Sequence, residues 1–403
     1  MTSKPPFGGE VIGDIAVGNL GKTQSGGTPS SKHSEYFGGD IPWIGTTALN
    51  GGVLDESNAV KFITEDAVEH SATKIVPAGS IMVGVRVGVG KVAVNSVPMC
   101  TSQDIVSIIG VDEQLWNKEY ISYAIQYKAP RLASQAQGAT ITGITSKALK
   151  AVTIPVREKS SQDQIVWTLN YLKELHLLSE QRLAKLDTLV KSRFAEMFGD
   201  TDALMSRWPR KPLMACVNQI DSGKSVNCKA EARTGSAPGV LKLSALSSGK
   251  YLPEENKAMF DSDNVLPGKE VMIGDILVAR KNTPDLVGTC VLVDFDAPNL
   301  MFPDLVFRMH PIEGVDGTYL SSLLGKSSFS KTVRSLAHGS AKSMSNIPKS
   351  ELEKLELPLP PLALQREFAD FATRVDKLRV EAQAQKEKLQ TLYDSLAQDY
   401  FAI

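Results

Sequence analysis

Over the last forty residues apolar side chains recur at alternating steps of three and four: Phe368, Phe371, Val375, Leu378, Ala382, Leu389, Leu392 and Leu396, with Gln385 interrupting. Pro358, Pro360 and Pro361 precede the run, so the spacing predicts a helix over 362–403 with a coiled-coil seam. A second such stretch lies mid-chain. Ile165, Leu172, Leu175, Leu186 and Leu189 form its stripe, with Thr168, Ser179, Arg182 and Arg193 where a strict seam is apolar, and Leu169, Leu178, Leu183 and Val190 widening the apolar surface. Ser161-Gln162-Asp163-Gln164 has the S-x-x-Q form of a capping box, and Gly199 is a suitable stop, which predicts a helix over 160–198. At about 1.5 Å per residue it would reach roughly 55–60 Å.

The two helix starts belong to one internal duplication. Ile154-Pro155 precedes Gln162-Asp163-Gln164-Ile165, and Leu357-Pro358 precedes Gln365-Arg366-Glu367-Phe368, at a common offset of 203 positions. Upstream, the segment from Gly79 to Arg86 answers that from Gly274 to Arg280, Ala48-Leu49 answers Ala245-Leu246, and Ser25-Gly26 answers Ser222-Gly223. The expected organisation is therefore a domain over 1–159, the first helix, a second domain over 199–361, and the second helix. The runs Val83 to Val94 and Val271 to Ala279 are strand-like, with the Gly-rich stretch Gly84 to Gly90 reading as strand and tight turn. With a full domain between them, the helices are expected to pair antiparallel within the chain; dimerisation through the C-terminal helix is the alternative.

Composition narrows the chemistry. The 403 residues carry a formal net charge of −1, and basic and acidic residues balance within each domain, 14 against 14 over 1–159 and 19 against 19 over 199–361. Any affinity for nucleic acid must then come from clustered charge rather than net charge. Clusters exist at equivalent places in the two copies. Lys128, Arg131, Lys147, Lys150 and Arg157 fall between Tyr120 and Arg157 without one carboxylate, and Lys326, Lys331, Arg334, Lys342 and Lys349 fall between Gly317 and Ser350, again without one. Each window holds a turn rich in Gly, Ser and Thr, and small donors beside cations suit phosphate contact. A solvated basic loop would give the same pattern once; recurrence argues against that reading.

Catalytic signatures are decoys. Gly18 to Thr23 and Gly223-Lys224-Ser225 loosely resemble phosphate loops, but such a loop must open a helix, and Gly26, Gly27 and Pro29 follow the first match at once. Pro5-Pro6-Phe7 resembles the tail of an amino-methyltransferase motif, with Lys4 where an acceptor is needed. Cys100, Cys216, Cys228 and Cys290 lack paired spacing, and His33, His70, His176, His310 and His338 lack ligand spacing, so no metal or catalytic residue is expected. No apolar run suits export or a membrane span, and a cytoplasmic location is expected.

The alternation of domain and long helix resembles the DNA-specificity subunit of type I restriction-modification systems. Ser25-Gly26-Gly27-Thr28-Pro29, Gly138-Ala139-Thr140 and, above all, Leu357-Pro358-Leu359-Pro360-Pro361-Leu362 leading into Gln365-Arg366-Glu367-Phe368 carry the likeness. The first copy departs from it, with Val156-Arg157-Glu158-Lys159 in place of the prolines. The resemblance implies an α/β (α+β) fold with two target recognition domains built on small twisted sheets and separated by two long helices pairing as an antiparallel coiled coil. Each domain would read half of a bipartite double-stranded DNA target. The helices would set the gap and dock modification subunits that methylate adenine, with restriction subunits as further partners. S-adenosylmethionine, ATP and Mg would belong to those partners, no cofactor being expected in this chain, which would be no enzyme itself.

For base and phosphate contact the polar residues after apolar strands are the candidates: Thr46, Thr47 and Asn50 in copy one, with Lys242, Ser244 and Ser247 in copy two. Arg86 and Lys91, and Arg280, Lys281 and Asn282, come next, since Arg reads guanine and Asn adenine bidentately. Thr140, Thr142 and Lys147, and Lys342 and Ser343, are the window candidates. A coiled-coil adaptor that binds protein and lacks DNA specificity is the rival reading.

The helix reading generates a test. Inserting four residues near Lys185 adds about 6 Å of helix, close to two base-pair steps, so the gap in the recognised sequence should lengthen while both half-sites persist. Unchanged spacing in mapped methylation would refute a ruler.

Overall fold

A computed structural model describes residues 8–134, 143–260, 265–325, 327–339 and 344–402, Thr201 by its backbone only. The chain divides into two compact units, Met1–Ser179 with Gln385–Ile403, and Glu180–Ala384. The long helices are α1, Lys159–Phe198, and α2, Leu362–Phe401, each 40 residues, and both of their ends keep the 203-residue offset.

In the first unit Ile81–Gly84 lies at the centre of a five-stranded sheet, between Ile105–Ile109 and Val92–Asn95, with Lys22–Ser25 and Val53–Leu54 at the edges. Buried on both faces, the central strand reads as a continuous apolar run. A second sheet has the order Lys61–Ile63, Phe37–Ile44, Met99–Thr101, Ile75–Val76. The second unit repeats the plan with fewer strands: Val217–Ser222, Val306–Pro311, Ile276–Ala279 and Cys290–Leu292 in one sheet, and Asn256–Ala258, Gly239–Leu241 and Leu300–Met301 in the other. Small mixed sheets with helices are thus the architecture, as the fold class anticipates. The run from Val83 to Val94 is two strands joined by the expected turn, whereas only Ile276–Ala279 of the run from Val271 is strand.

The Ser-Gly pairs owe their recurrence to close backbone approach. A Cβ on Gly26 would lie 2.2 Å from the Ser102 carbonyl oxygen, and one on Gly223 would lie 2.1 Å from that of Pro303. Only glycine lets these edge strands turn there, where the Gly26 and Gly223 amides donate to Ile105 and Val306.

Each domain is joined to its long helix by the same polar lock. Gln162 and Gln365, both fully buried, sit in the first turn of α1 and α2. The Gln162 amide donates to the Leu115 and Arg157 carbonyls and accepts from the Asn117 amide at 2.9 Å; the Gln365 amide donates to the Pro360 carbonyl and accepts from the Asp316 amide at 2.9 Å. Asn117 and Asp316 in turn cap the helices Lys118–Ser134 and Gly317–Gly325, accepting from the amides of Tyr120 and Tyr319. The hydroxyls of those tyrosines donate to the carbonyls of Pro155 and Pro358. Burial pushes the Tyr120 phenol up to about 12 and the Tyr319 phenol further still.

The far ends of the helices close the same cores. In the first unit Phe401, which ends α2, packs on Tyr120 with ring centroids 5.3 Å apart; in the second, Phe198, which ends α1, packs on Tyr319 at 4.9 Å. The helices pair antiparallel within the chain. In the second unit Arg193 meets Glu367 at 2.9 Å and Asp187 meets Arg379 at 2.7 Å; in the first, Leu172 and His176 face Leu389 and Tyr393.

One row of the expected seam is displaced. Ile165, Leu172, Leu186, Phe368 and Val375 are buried and Leu175, Phe371, Leu389 and Leu396 half-buried, but Leu189, Leu378 and Leu392 are 42–46% exposed. The row runs one residue later in both helices, through Leu169, His176, Leu183 and Val190, and through Ala372, Arg379, Lys386 and Tyr393. Steps of three-then-four and four-then-three share every second position, so apolarity alone does not choose between them. Alanines such as Ala372 and Ala382 permit close approach, while the Arg379 stem packs as its head pairs with Asp187, the side chain being 13% exposed. Ser161 also departs from expectation. It lies inside α1, which opens at Lys159, so it is no cap. Gly199 does end the helix, at φ +98°, donating to the Ala195 carbonyl.

Replacing Gln365 by Leu strands the Asp316 amide and the Pro360 carbonyl, at a cost of about 1–3 kcal/mol for each unmet group. Hydrogen exchange should then speed up in Gly317–Gly325 and the first turns of α2 but not in Lys118–Ser134. Equal loosening of both helices, or of neither, would show that the lock is not local.

Candidate nucleic-acid interface

The central strand of each main sheet ends in a turn that the basic window reaches. In the first unit Val85 to Lys91 forms this turn, with Gly88 and Gly90 at φ +70° and +79°. The Ile144 amide donates to the Val85 carbonyl at 2.7 Å; in the second unit the Ile347 amide donates to the Arg280 carbonyl at 2.8 Å. Ile144 and Ile347 keep the 203 offset, and the amides of Val85 and Arg280 both donate to the neighbouring strand segment, at Asp104 and Leu305. Arg280 therefore stands where Val85 stands. The counterpart of Arg86 is Lys281 rather than Arg280, at the offset of 195 positions that also relates Gly79 to Gly274.

The turns present different chemistry. Arg86 is exposed, with its guanidinium 3.5 Å from Asp104, and Lys91 is exposed beside it. Asn50 is brought alongside, since the Gly51 amide donates to Val92, and its side chain accepts from the Gly52 amide. Arg280 is held instead: its guanidinium lies 5.0 Å from the centre of the Phe307 ring, with Nε 3.4 Å from Asn346 Oδ1 and Nη1 3.5 Å from Ser222 Oγ. These contacts are long, so the fork is oriented while keeping donors for a ligand. Lys281 pairs with Asn346 and is half-buried.

Other candidates are placed less favourably. Thr46 is 7% exposed and Asn282 is 8% exposed, the latter accepting from the Thr283 amide, so neither side chain faces solvent. Thr47 is exposed and Ser247 half-buried. Ser244 donates to Glu255 at 2.6 Å and Lys242 lies 3.8 Å from the same carboxylate, which occupies both donors. Thr140, Thr142, Lys342 and Ser343 lie outside the described residues. Lys147 is exposed on the short helix Ser146–Lys150, whose far end borders a cleft of about 270 Å³ walled by Lys128 and Arg131. Burial and then Arg131 push the Lys128 ammonium down, the mark of cations held together.

Sequence reasoning did not find Arg308. Its guanidinium lies over Phe302 at 4.9 Å, bonds Asp221 at 2.7 Å and donates to the Glu270 carbonyl at 2.7 Å. Asp275 lies beside it, only 4% exposed, its carboxyl pushed up by burial against the opposing pull of the Met272 amide, Arg308 and His310. Neither has a periodic signal to betray it. The phosphate-loop decoy resolves as strand, with Lys22 on Lys22–Ser25. Among the described residues no group of three or more His, Cys, Asp or Glu could hold a metal ion, and no helix is long and apolar enough to cross a membrane.

Comparison with known proteins finds relatives of part of the chain and of its fold. Residues 12–188 match the type I restriction modification DNA specificity domain. The MjaIX specificity subunit of Methanocaldococcus jannaschii is 31% identical over 46% of this chain and 43% of its own length; the EcoR124I/EcoR124II specificity subunit of Escherichia coli is 35% identical over 38% and 39%. Those alignments thus span about two-fifths of each relative. The MjaVIII specificity subunit of M. jannaschii is 22% identical over 93% of this chain and 88% of the relative. In fold, the chain resembles the S subunit of a type I restriction-modification system from M. genitalium, with TM-score 0.57 and 15% identity over the whole of both chains. It likewise resembles a chain from a structural study of assembly and conformational transition in the type I R-M system, with TM-score 0.61 and 16% identity over 100% and 99%. Residues 12–188 thus match the type I restriction modification DNA specificity domain, and the chain as a whole shares the fold of the S subunits.

Proposed function

We propose that this chain is the DNA-reading subunit of a type I restriction-modification complex: it recognises a bipartite duplex sequence and positions adenine-methylating modification subunits and restriction subunits. The observation that carries this reading is the pair of turns at Val85 and Arg280. Backbone hydrogen bonds hold them alike, and their side chains differ, which is what two half-sites of different sequence require. Phosphate contacts fix register and base edges supply specificity, so Lys128 and Arg131 suit the first role and Arg280 the second. Binding of S-adenosylmethionine, ATP and Mg is assigned to the partner subunits. On this reading the chain contributes no bond-making step, only address.

Gel shifts with the modification subunits present, at two salt concentrations, test the proposal. Duplex binding should weaken steeply with salt; no affinity for duplex would favour an adaptor that binds protein. Arg280→Ala should cost about 1–3 kcal/mol of discrimination at one base pair and relax one half-site in sequence selection, whereas Lys342→Ala should weaken all sequences alike. A uniform loss from both substitutions would sink the sorting.

A further inference from the structure

Away from those turns, the first unit has an open cleft of about 350 Å³ between the segment after Gly27 and the edge of the second sheet. Its walls combine two cations, Lys32 and Lys61, two aromatic rings, Phe37 and Trp43, and the hydroxyls of Thr28 and Ser30. None of the residues lining it is acidic. Among the described residues neither lysine has a carboxylate partner, although Glu35 nearby is taken by His33 at 2.8 Å.

The cleft is built rather than incidental. Trp43 and Lys61 are direct cross-strand partners, so their side chains share one face of the sheet. The Trp43 indole N–H donates to the Gly27 carbonyl at 3.0 Å, which fixes the ring against the Ser25 to Pro29 segment. The Lys61 ammonium stands 4.9 Å from the centre of the Phe37 ring. A ring face orients an ammonium without neutralising it, so the charge stays available to an anion. The cation also recurs. In the second unit the corresponding strand pair places Lys257 opposite Val240, as the first places Lys61 opposite Trp43. A lysine retained at one register position while its aromatic neighbour changes points to a need for charge.

We infer that this cleft seats the backbone of a nucleic-acid strand, with Lys32 and Lys61 against successive phosphates and Trp43 and Phe37 against the intervening sugar or base. Exposed cations hold a lone phosphate poorly in competition with water. A strand supplies linked phosphates together with apolar surface for the rings, the combination that strand-tracking grooves use. The inference rests on the DNA-reading function proposed above and adds a contact region to it. Because it touches backbone, it should contribute affinity without sequence preference.

Lysine footprinting reads the contact directly. The full chain, assembled with its modification subunits, is acetylated with and without a 40-base-pair duplex, and labelling of each lysine is mapped by mass spectrometry. Lys32 and Lys61 should be protected by duplex but not by millimolar inorganic phosphate. Protection by phosphate alone would make this a free-anion site and overturn the strand. In parallel, the double substitution K32Q/K61Q should lower affinity for all duplexes and reduce the slope of log affinity against log salt by about 0.9 per lysine, with half-site preference unchanged. Tight duplex binding with Lys61 fully labelled and the salt slope unaltered would refute the cleft while leaving the DNA reading intact. Loss of duplex binding by the unmodified complex would instead strike the DNA reading itself.

Discussion

Two buried glutamines are the constraint on which the rest depends. A primary amide taken out of water is costly unless its donors and acceptor are met, and Gln162 and Gln365 are met almost wholly by backbone groups. Those groups belong to two places at once: the chain just before each long helix, and the capping turn of a helix in the domain. Satisfying one side chain therefore fixes the angle between domain and long helix. Tyr120 and Tyr319 add a second tie from the same capped helices, and Phe401 and Phe198 then close over the tyrosines. Each unit thus takes its domain from one copy of the repeat and its closing aromatic from the helix end of the other. A duplicated sequence with this reciprocity needs both copies to complete either core.

The copies differ where the lock leaves room. At the position of Pro360 the first copy has Arg157, 4% exposed, which donates to the carbonyls of Gly9 at 2.6 Å and Tyr400 at 3.2 Å. A proline there can only direct the chain, whereas the arginine gathers the start of the chain and the last turn of α2 onto the first unit. Its charge sits beside carbonyls at a helix C-terminus, where the backbone dipole favours it. The departure from the proline-rich pattern is thus replaced by an interaction rather than merely tolerated.

The helices were legible in sequence because their signals are redundant: Pro358, Pro360 and Pro361 before the second, Gly199 after the first, and apolar residues recurring at helical spacing along both. Their ends keep the offset that Gln162 and Gln365 announced. The packing row was not legible, because Leu378 and Leu392 are better hydrophobes than Arg379 and Lys386, and only the approach of the partner helix reveals that small and long amphipathic residues fit the groove. The candidate site divides in the same way. Arg86, Lys91 and Arg280 follow buried strands and were readable from that fact, whereas the burial of Thr46 and Asn282 and the capture of Lys242 and Ser244 by Glu255 depend on partners remote in sequence. Arg308 escaped for the opposite reason. A lone cation in an apolar strand looks like an outward-facing residue, and only the fold places Phe302, Asp221 and Asp275 around it.

Electrostatics explains why near-neutral domains suit the proposed role. With cations and carboxylates in balance, long-range attraction to a polyanion is weak, and the useful charge is the small set with no carboxylate ion pair among the described residues: Lys128 with Arg131, Lys32 with Lys61, and Arg280 over its ring. A strongly basic surface would hold any duplex tightly and blur the difference between right and wrong sequence, since that attraction is blind to bases. Few, positioned cations leave the balance to the turns. The same economy makes Arg280 informative: its guanidinium already lies stacked and oriented, so little side-chain freedom remains to be lost when a base edge arrives. Arg86 has only the longer ion pair with Asp104, at 3.5 Å, to hold it, and loses more on ordering. On the proposed reading the two turns are unequal readers built on like scaffolds, and the inequality is set by what lies beside each side chain, the Phe307 ring in one unit and the Asp104 carboxylate in the other.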